Sequence, residues 1–312
     1  MRVVIDARLC ELLPTPHDSY DRVGSVMHDG VLAPGKRTRP LLMLLVGRGL
    51  ANESKPLLDL ACALEMVHAA SLFLGDLPCM DNAWLRRGRP AIHARYGQDA
   101  AMFGAMALLS QACGIVASVP DLPGALRAQL VQVLCEAVGA RGLIRSQLCD
   151  RREGAPVPAA ADITGASGQK TGALFDASLQ IAALAAGAST EAQAALQAAA
   201  SHLGQAFRLR DDLEDACDEL ADRIKDHCSE DGNSTLAARL GRDAVQRRLD
   251  AHLLQASEHL SAALAGNEGV VGLMLDACGL TVSEPVEAPP VNPKPARFAR
   301  SVAHRPALRL VR

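Results

Sequence analysis

Residues 57–74 read LLDLACALEMVHAASLFL, eighteen residues interrupted only by Asp59, Glu65, His68 and Ser71. A helix of this composition has no broad polar face and must be buried on most of its sides. The rest of the chain therefore has to build a shell around it. Alanine and leucine dominate, hydrophobic residues make up 49%, and aromatics only 3%. That balance suits close-packed helices, because a β sandwich needs more Val, Ile, Tyr and Phe. The expectation is an all-α protein, a large single-domain helical bundle around a central cavity. At 312 residues the chain can bury a substantial core as one large domain or two small ones.

Charge and cysteine usage narrow the function classes. A net charge of −3, with no basic stretch interleaved with aromatics, gives no reason to expect nucleic acid. The nine cysteines stand singly, and none forms a CxxC pair that would suggest zinc or a redox dithiol. Their apolar settings fit a reducing cytoplasm. The first residues, MRVVIDARLCELL, carry acids and lack a long apolar core, unlike a secretion signal. No uninterrupted 18-residue apolar run is found, so no membrane span is expected. Residues 1–19 read as a variable lead-in with one short helix, and residues 20–282 as the helical domain. Residues 283–312 are rich in proline and arginine and read as a disordered tail.

The chemistry sits at the end of the apolar helix. Asp76 and Asp81 follow it, then a kink at Pro78 and the pair Arg86-Arg87 before Gly88. Carboxylates can hold Mg²⁺, Mg²⁺ holds phosphate oxygens, and guanidinium forks take the remaining phosphate charge. A second acidic cluster, Asp211, Asp212, Glu214 and Asp215, lies on another helical segment, with Asp211 and Asp215 on one face. Two such clusters facing one cavity suit a metal-bridged diphosphate; a solvated acidic face is the plainer alternative for each. Lys36 and Arg39 precede a buried helix whose first turn contains Pro40. There a diphosphate could be gripped without metal, helped by backbone N–H groups at the helix start.

Taken in order, GKRTRP (35–40), GDLPCMDN (75–82), RRGRPAIH (86–93), GQKTG (168–172) and FRLRDDLED (207–215) resemble the motifs of the trans-prenyl diphosphate synthases. The resemblance covers most of the chain and is strongest to the bacterial geranylgeranyl diphosphate synthases of carotenoid pathways. It implies the isoprenoid synthase fold, a homodimer, and two or three Mg²⁺ ions held by Asp76, Asp81, Asp211, Asp212 and Asp215. It also implies condensation of isopentenyl diphosphate with an allylic diphosphate. By the same likeness Lys36, Arg39, His68 and Arg87 take isopentenyl diphosphate, while Arg86, Lys170, Thr171 and Lys225 take the allylic diphosphate. Phe207 and Arg208 stand beside the second cluster, and Asp150 supports a metal through water. Ala70, five residues before Gly75, is small, as in members that make C20 chains.

The chain departs from the pattern at several points. Gly75 replaces the leading aspartate of the first motif, Arg208 replaces a glutamine, Asn233 a lysine, and Arg145-Ser146 a neutral pair. Loss of a carboxylate at residue 75 weakens a metal site, and glycine costs roughly 1 kcal/mol inside a helix. These departures leave two further readings open. One is a weak or inactive paralogue that pairs with an active synthase as a heterodimer. The other is a terpene cyclase, against which the retained Lys36, Arg39, His68 and Arg87 argue.

Overall fold

The computed structural model describes residues 1–16, 21–52, 55–150, 168–225 and 236–280, with backbone alone at 149–150, 168–171, 215–225 and 238–239. The helices are α1 (Arg2–Leu12), α2 (Arg22–Val31), α3 (Thr38–Gly49), α4 (Lys55–Gly75), α5 (Ile92–Tyr96), α6 (Gln98–Ser118) and α7 (Gly124–Val138). They continue with α8 (Leu143–Asp150), α9 (Gly168–Ala185), α10 (Thr190–Lys225), α11 (Leu236–Leu240), α12 (Arg242–Ala263) and α13 (Glu268–Cys278). Two short strands, β1 (Leu85–Arg86) and β2 (Arg89–Pro90), form an antiparallel hairpin between α4 and α5.

The apolar run of the sequence is α4, and it is the axis of the bundle. It packs against α1, α2, α3, α6 and α9, and most of its side chains are inaccessible. On the far side, the 36-residue α10 packs against α9 and α12. The first residues are not peripheral: α1 places Ile5 and Leu9 wholly in the core, and Arg8 grips Asp59 of α4 through two bonds of 2.6 and 3.0 Å. Contacts group Met1–Thr281 as one unit; Val282–Arg312 falls outside the described residues, as does the expected tail. Cys62 and Cys278 are buried, and burial pushes both thiols up to about 12, which leaves them as inert core residues.

Two helices bear on the expectation that no segment spans a membrane. By length and composition α4 and α6 could each cross a membrane, with a mean hydropathy of 1.7. Scattered polar residues in α4, and Ser110-Gln111 in α6, hide this from a search for an uninterrupted apolar run. For α4 the cause is burial inside the bundle, since 78% of its apolar window is enclosed. The window of α6 is only 44% enclosed, and Met102, Phe103 and Met106 point outward from it.

Glu65 of α4 and Arg37 at the start of α3 form a buried ion pair of 2.8 Å. Arg37 also donates to Asp6 of α1 at 2.8 Å and to the Ala33 carbonyl at 3.2 Å. Burial opposes the Arg37 charge, but Glu65 and then Asp6 outweigh it and raise the guanidinium above its ordinary value. Removing one partner of such a pair strands a charge, at a cost of about 3–5 kcal/mol. Glu65→Ala should therefore lower the unfolding free energy by about that amount in a urea titration, far more than the surface change Glu258→Ala.

On the outer side of α10 and α12, His202 Nδ1 lies 2.9 Å from His252 Nδ1, and His259 stacks on His202 at 5.7 Å between ring centres. The short contact requires one ring to donate and the other to accept. Burial, then the charge of His259, lowers the His202 pKa; burial, then His202 and Arg248, lowers that of His252. Groups held neutral in the fold contribute stability that is full above the ordinary histidine value of about 6.5 and is lost as pH falls below it. Urea midpoints should fall between pH 7.5 and pH 5.5, and the fall should shrink in a His202→Asn, His252→Asn variant.

Candidate active site

Helix α4 ends at Gly75, and the next seven residues fold back on its C-terminus. The Asp81 N–H donates to the Gly75 carbonyl at 2.9 Å, and the Ala83 N–H to the Asp76 carbonyl at 3.2 Å. Gly75 is thus the last residue of the helix and not an interior one, so the helix-interior penalty expected from sequence does not apply. Asp76 is buried at 3% exposure, while Asp81 faces solvent. A methyl group added at Gly75 would meet Asp81 Oδ2 and Gln147 Nε2, each at 3.6 Å, which is ordinary contact. A Cβ at residue 75 is therefore accommodated beside Asp81. Gln147 of α8 is itself buried and donates to the Ser71 carbonyl at 3.1 Å.

The arginine pair sits on the hairpin. Arg87 and Gly88 both adopt positive φ, +53° and +73°, as a two-residue hairpin turn requires. This geometry sends the two arginines to different partners. Arg86 forks onto the Asp76 carboxylate, which raises its pKa. Arg87 donates to the Pro34 carbonyl at 3.0 Å, crossing Gly35 so closely that a Cβ there would lie 2.4 Å from its Nη1. Burial lowers the Arg87 pKa.

A cavity of about 490 Å³ opens between α3, α4, the hairpin, α8, α9 and α10. Its cations are Lys36, Arg37, Arg39, Arg86, Arg87 and Arg210, its acids Glu65, Asp211 and Glu214, and its apolar wall includes Leu72, Leu143, Leu174 and Phe207. His68 lines it too, with Nδ1 buried and unpartnered among the described residues. Burial and then the charges of Arg39, Arg87, Arg37 and Arg86 hold this imidazole well below its usual range, so it is neutral. Arg39 Nε is likewise buried without a partner, and burial lowers its pKa.

Lys36, Arg39, His68, Arg86, Arg87, Phe207 and Asp211 thus line one space. Asp76 touches its rim through Arg86. Ala70 is fully buried and does not line the cavity; Ser71 and Leu72 do. The side chains of Lys170, Thr171, Asp150, Asp215 and Lys225 lie outside the described residues.

Among the described residues no three His, Cys, Asp or Glu side chains converge as a metal cage. That arrangement still fits Mg²⁺, which commonly takes one or two carboxylates and completes its shell with substrate phosphates and water. Asp76, Asp81, Asp211 and Asp212 are the hard oxygen donors available for it on the two sides of the site.

Two features escaped the sequence. Arg37, inside the basic motif, is already paired with Glu65 at 2.8 Å in the cavity wall. Arg210 stacks over the Phe207 ring at 4.3 Å, Phe207 packs on Phe175 at 5.5 Å, and Arg39 lies over the other ring at 5.4 Å. The result is a row of cation, ring, ring and cation along the cavity. The i, i+3 spacing of Phe207 and Arg210 was readable; the link to Phe175 and Arg39 was not.

The polyprenyl synthetase family profile matches residues 21–261, and the chain belongs to that family. A geranylgeranyl diphosphate synthase of Pantoea ananas is 49% identical over 261 residues, 83% of this chain and 85% of the relative. Another from Pseudescherichia vulneris is 47% identical over 265 residues, 84% of this chain and 85% of that one. Among solved structures, the apo FPP/GFPP synthase of Zymomonas mobilis is similar with a TM-score of 0.76 at 29% identity, covering 86% of this chain and 95% of that one.

If Arg87 serves a diphosphate, its path over Gly35 matters. Gly35→Ala should displace Arg87 and weaken binding of isopentenyl diphosphate about tenfold, the worth of one charge-assisted hydrogen bond, as read by calorimetry on the free protein.

Proposed function

We propose that this chain is a prenyltransferase that joins isopentenyl diphosphate to an allylic diphosphate, releasing pyrophosphate and giving geranylgeranyl diphosphate from a C15 primer. One observation carries this reading: cations from the start of α3, the hairpin and α10 line a single cavity together with acids of α4 and α10 and the apolar side chains Leu72, Leu143, Leu174 and Phe207. Lys36, Arg39 and Arg87, with neutral His68, suit the diphosphate of the homoallylic substrate. Arg86 suits that of the allylic substrate, with Lys170, Thr171 and Lys225 assigned to it by family likeness.

Bound Mg²⁺, two or three ions, supplies charge neutralisation of the allylic leaving group. For that the carboxylates of Asp76, Asp81, Asp211, Asp212 and Asp215 must face the phosphates, and Arg86 must exchange Asp76 for phosphate oxygens. The allylic carbon–oxygen bond then breaks with its electron pair leaving on pyrophosphate. The double bond of isopentenyl diphosphate attacks the cationic carbon, and a proton is lost to the released pyrophosphate. The chain contributes position, a dry wall of Leu72, Leu143, Leu174 and Phe207, and fixed charge near the departing anion. Arg208 adds a positive charge on the second side. The outward Met102, Phe103 and Met106 of α6 support a homodimer, and the protein acts in the cytoplasm. The synthase names of the two bacterial relatives favour catalysis over a purely partnering role.

With Mg²⁺ present, the purified protein should convert isopentenyl diphosphate and farnesyl diphosphate to a C20 diphosphate and pyrophosphate, read by mass. Gly75→Asp adds a carboxylate beside Asp81 and should lower the Mg²⁺ concentration needed for half-maximal rate. A silent wild type beside an active Gly75→Asp variant would mean that the native role is not catalysis.

A further inference from the structure

The guanidinium of Arg210 meets five groups at once. It donates from Nη2 to Asp211 Oδ1 at 3.0 Å and lies 3.3 Å from Glu214 Oε1. From Nη1 it donates to the carbonyl of Cys278, the last residue of α13, and reaches the Gly279 carbonyl at 3.4 Å. Its face rests on Phe207. Gly279 takes φ +68° as the cap of α13, and a Cβ there would stand 2.6 Å from Nη1, so the seat of the guanidinium exists because residue 279 is glycine. The arginine side chain is only 13% exposed.

We propose that Arg210 is a latch on Asp211: it holds this carboxylate until a diphosphate enters, so that the second acidic cluster takes up divalent metal together with diphosphate and not before. The proposal rests on the metal–diphosphate reading of the site. A metal ion that is to bind Asp211 through the oxygen facing Arg210 must first displace a charge-assisted hydrogen bond, and Mg²⁺ sheds its own water reluctantly. The Cys278 carbonyl and the Phe207 ring keep the guanidinium from simply swinging away. A diphosphate in the cavity, which Arg210 lines with Lys36, Arg39 and Arg87, offers the fork a stronger partner and frees Asp211. Arg210 is therefore a positioning residue for the metal ligand, and its hold is set by the C-terminal cap of α13.

The test is a Mn²⁺ titration of the full chain by electron paramagnetic resonance, with and without inorganic pyrophosphate and without turnover. Without pyrophosphate, Arg210→Met should bind Mn²⁺ about tenfold more tightly than wild type, and with saturating pyrophosphate the two should agree within about threefold. Gly279→Ala, which crowds the guanidinium without removing its charge, should give an intermediate gain, and adding Asp211→Asn to Arg210→Met should abolish the gain. Equal affinities without pyrophosphate would overturn the latch. So would a tenfold gain in both conditions, because that is the signature of a lost charge and nothing more. Should Arg210→Met fail to fold by circular dichroism, Gly279→Ala decides alone. Absence of Mn²⁺ binding with pyrophosphate in every protein would sink the metal–diphosphate reading, and the latch with it.

Discussion

The buried pair between Arg37 and Glu65 is the contact on which the site's geometry depends. It fixes the start of α3 to the middle of α4, and Asp6 ties α1 to the same guanidinium. With residue 37 at positive φ and held by Glu65, Lys36 and Arg39 line the same cavity on either side of it. His68 lies three residues beyond Glu65 on the same helix, so one ion pair sets the register of both walls. Buried pairs seldom add net stability over an apolar packing of the same volume. Here the pair earns its place through alignment, because an apolar substitute would not orient the loop that carries two cations.

The same logic of paired charge runs through the site. Asp76 is neutralised by Arg86, Asp211 by Arg210, and Asp29, farther out, by Arg89 and Arg95. A cavity crowded with arginines would otherwise repel itself, and the lowered pKa values of Arg39, Arg87 and His68 register burial first and neighbouring arginine charge after it. Such a space is poised for a strongly anionic guest, because each arginine that exchanges a carboxylate for a phosphate gains a bidentate partner.

Much of this was legible in the chain. The apolar run of α4 demanded a helical shell, Pro40 marked the first turn of α3, and the order of acidic and basic motifs located the cavity. What was not legible has physical causes. The hairpin is two residues per strand and built from arginines, so no alternation of apolar side chains announces it. Gly75 follows a long helical pattern directly and reads as part of its interior, whereas the helix stops there and the chain folds back. The pairing of Arg37 depends on Glu65, 28 residues away, and the His202–His252 contact on a partner 50 residues away; a single sequence does not carry such pairings. Ile5 and Leu9, by contrast, stood one helical turn apart and could have placed α1 in the core.

The row formed by Arg39, Phe175, Phe207 and Arg210 acts as a spacer between two charged ends. Aromatic rings are stiff and nearly incompressible, so the separation of the terminal guanidinium groups is set by ring thickness and tilt, not by the rotamers of long side chains. Phe175, wholly enclosed, has no room to shift. Any change in either ring thus alters the distance between the two ends. The four residues act as a single ruler.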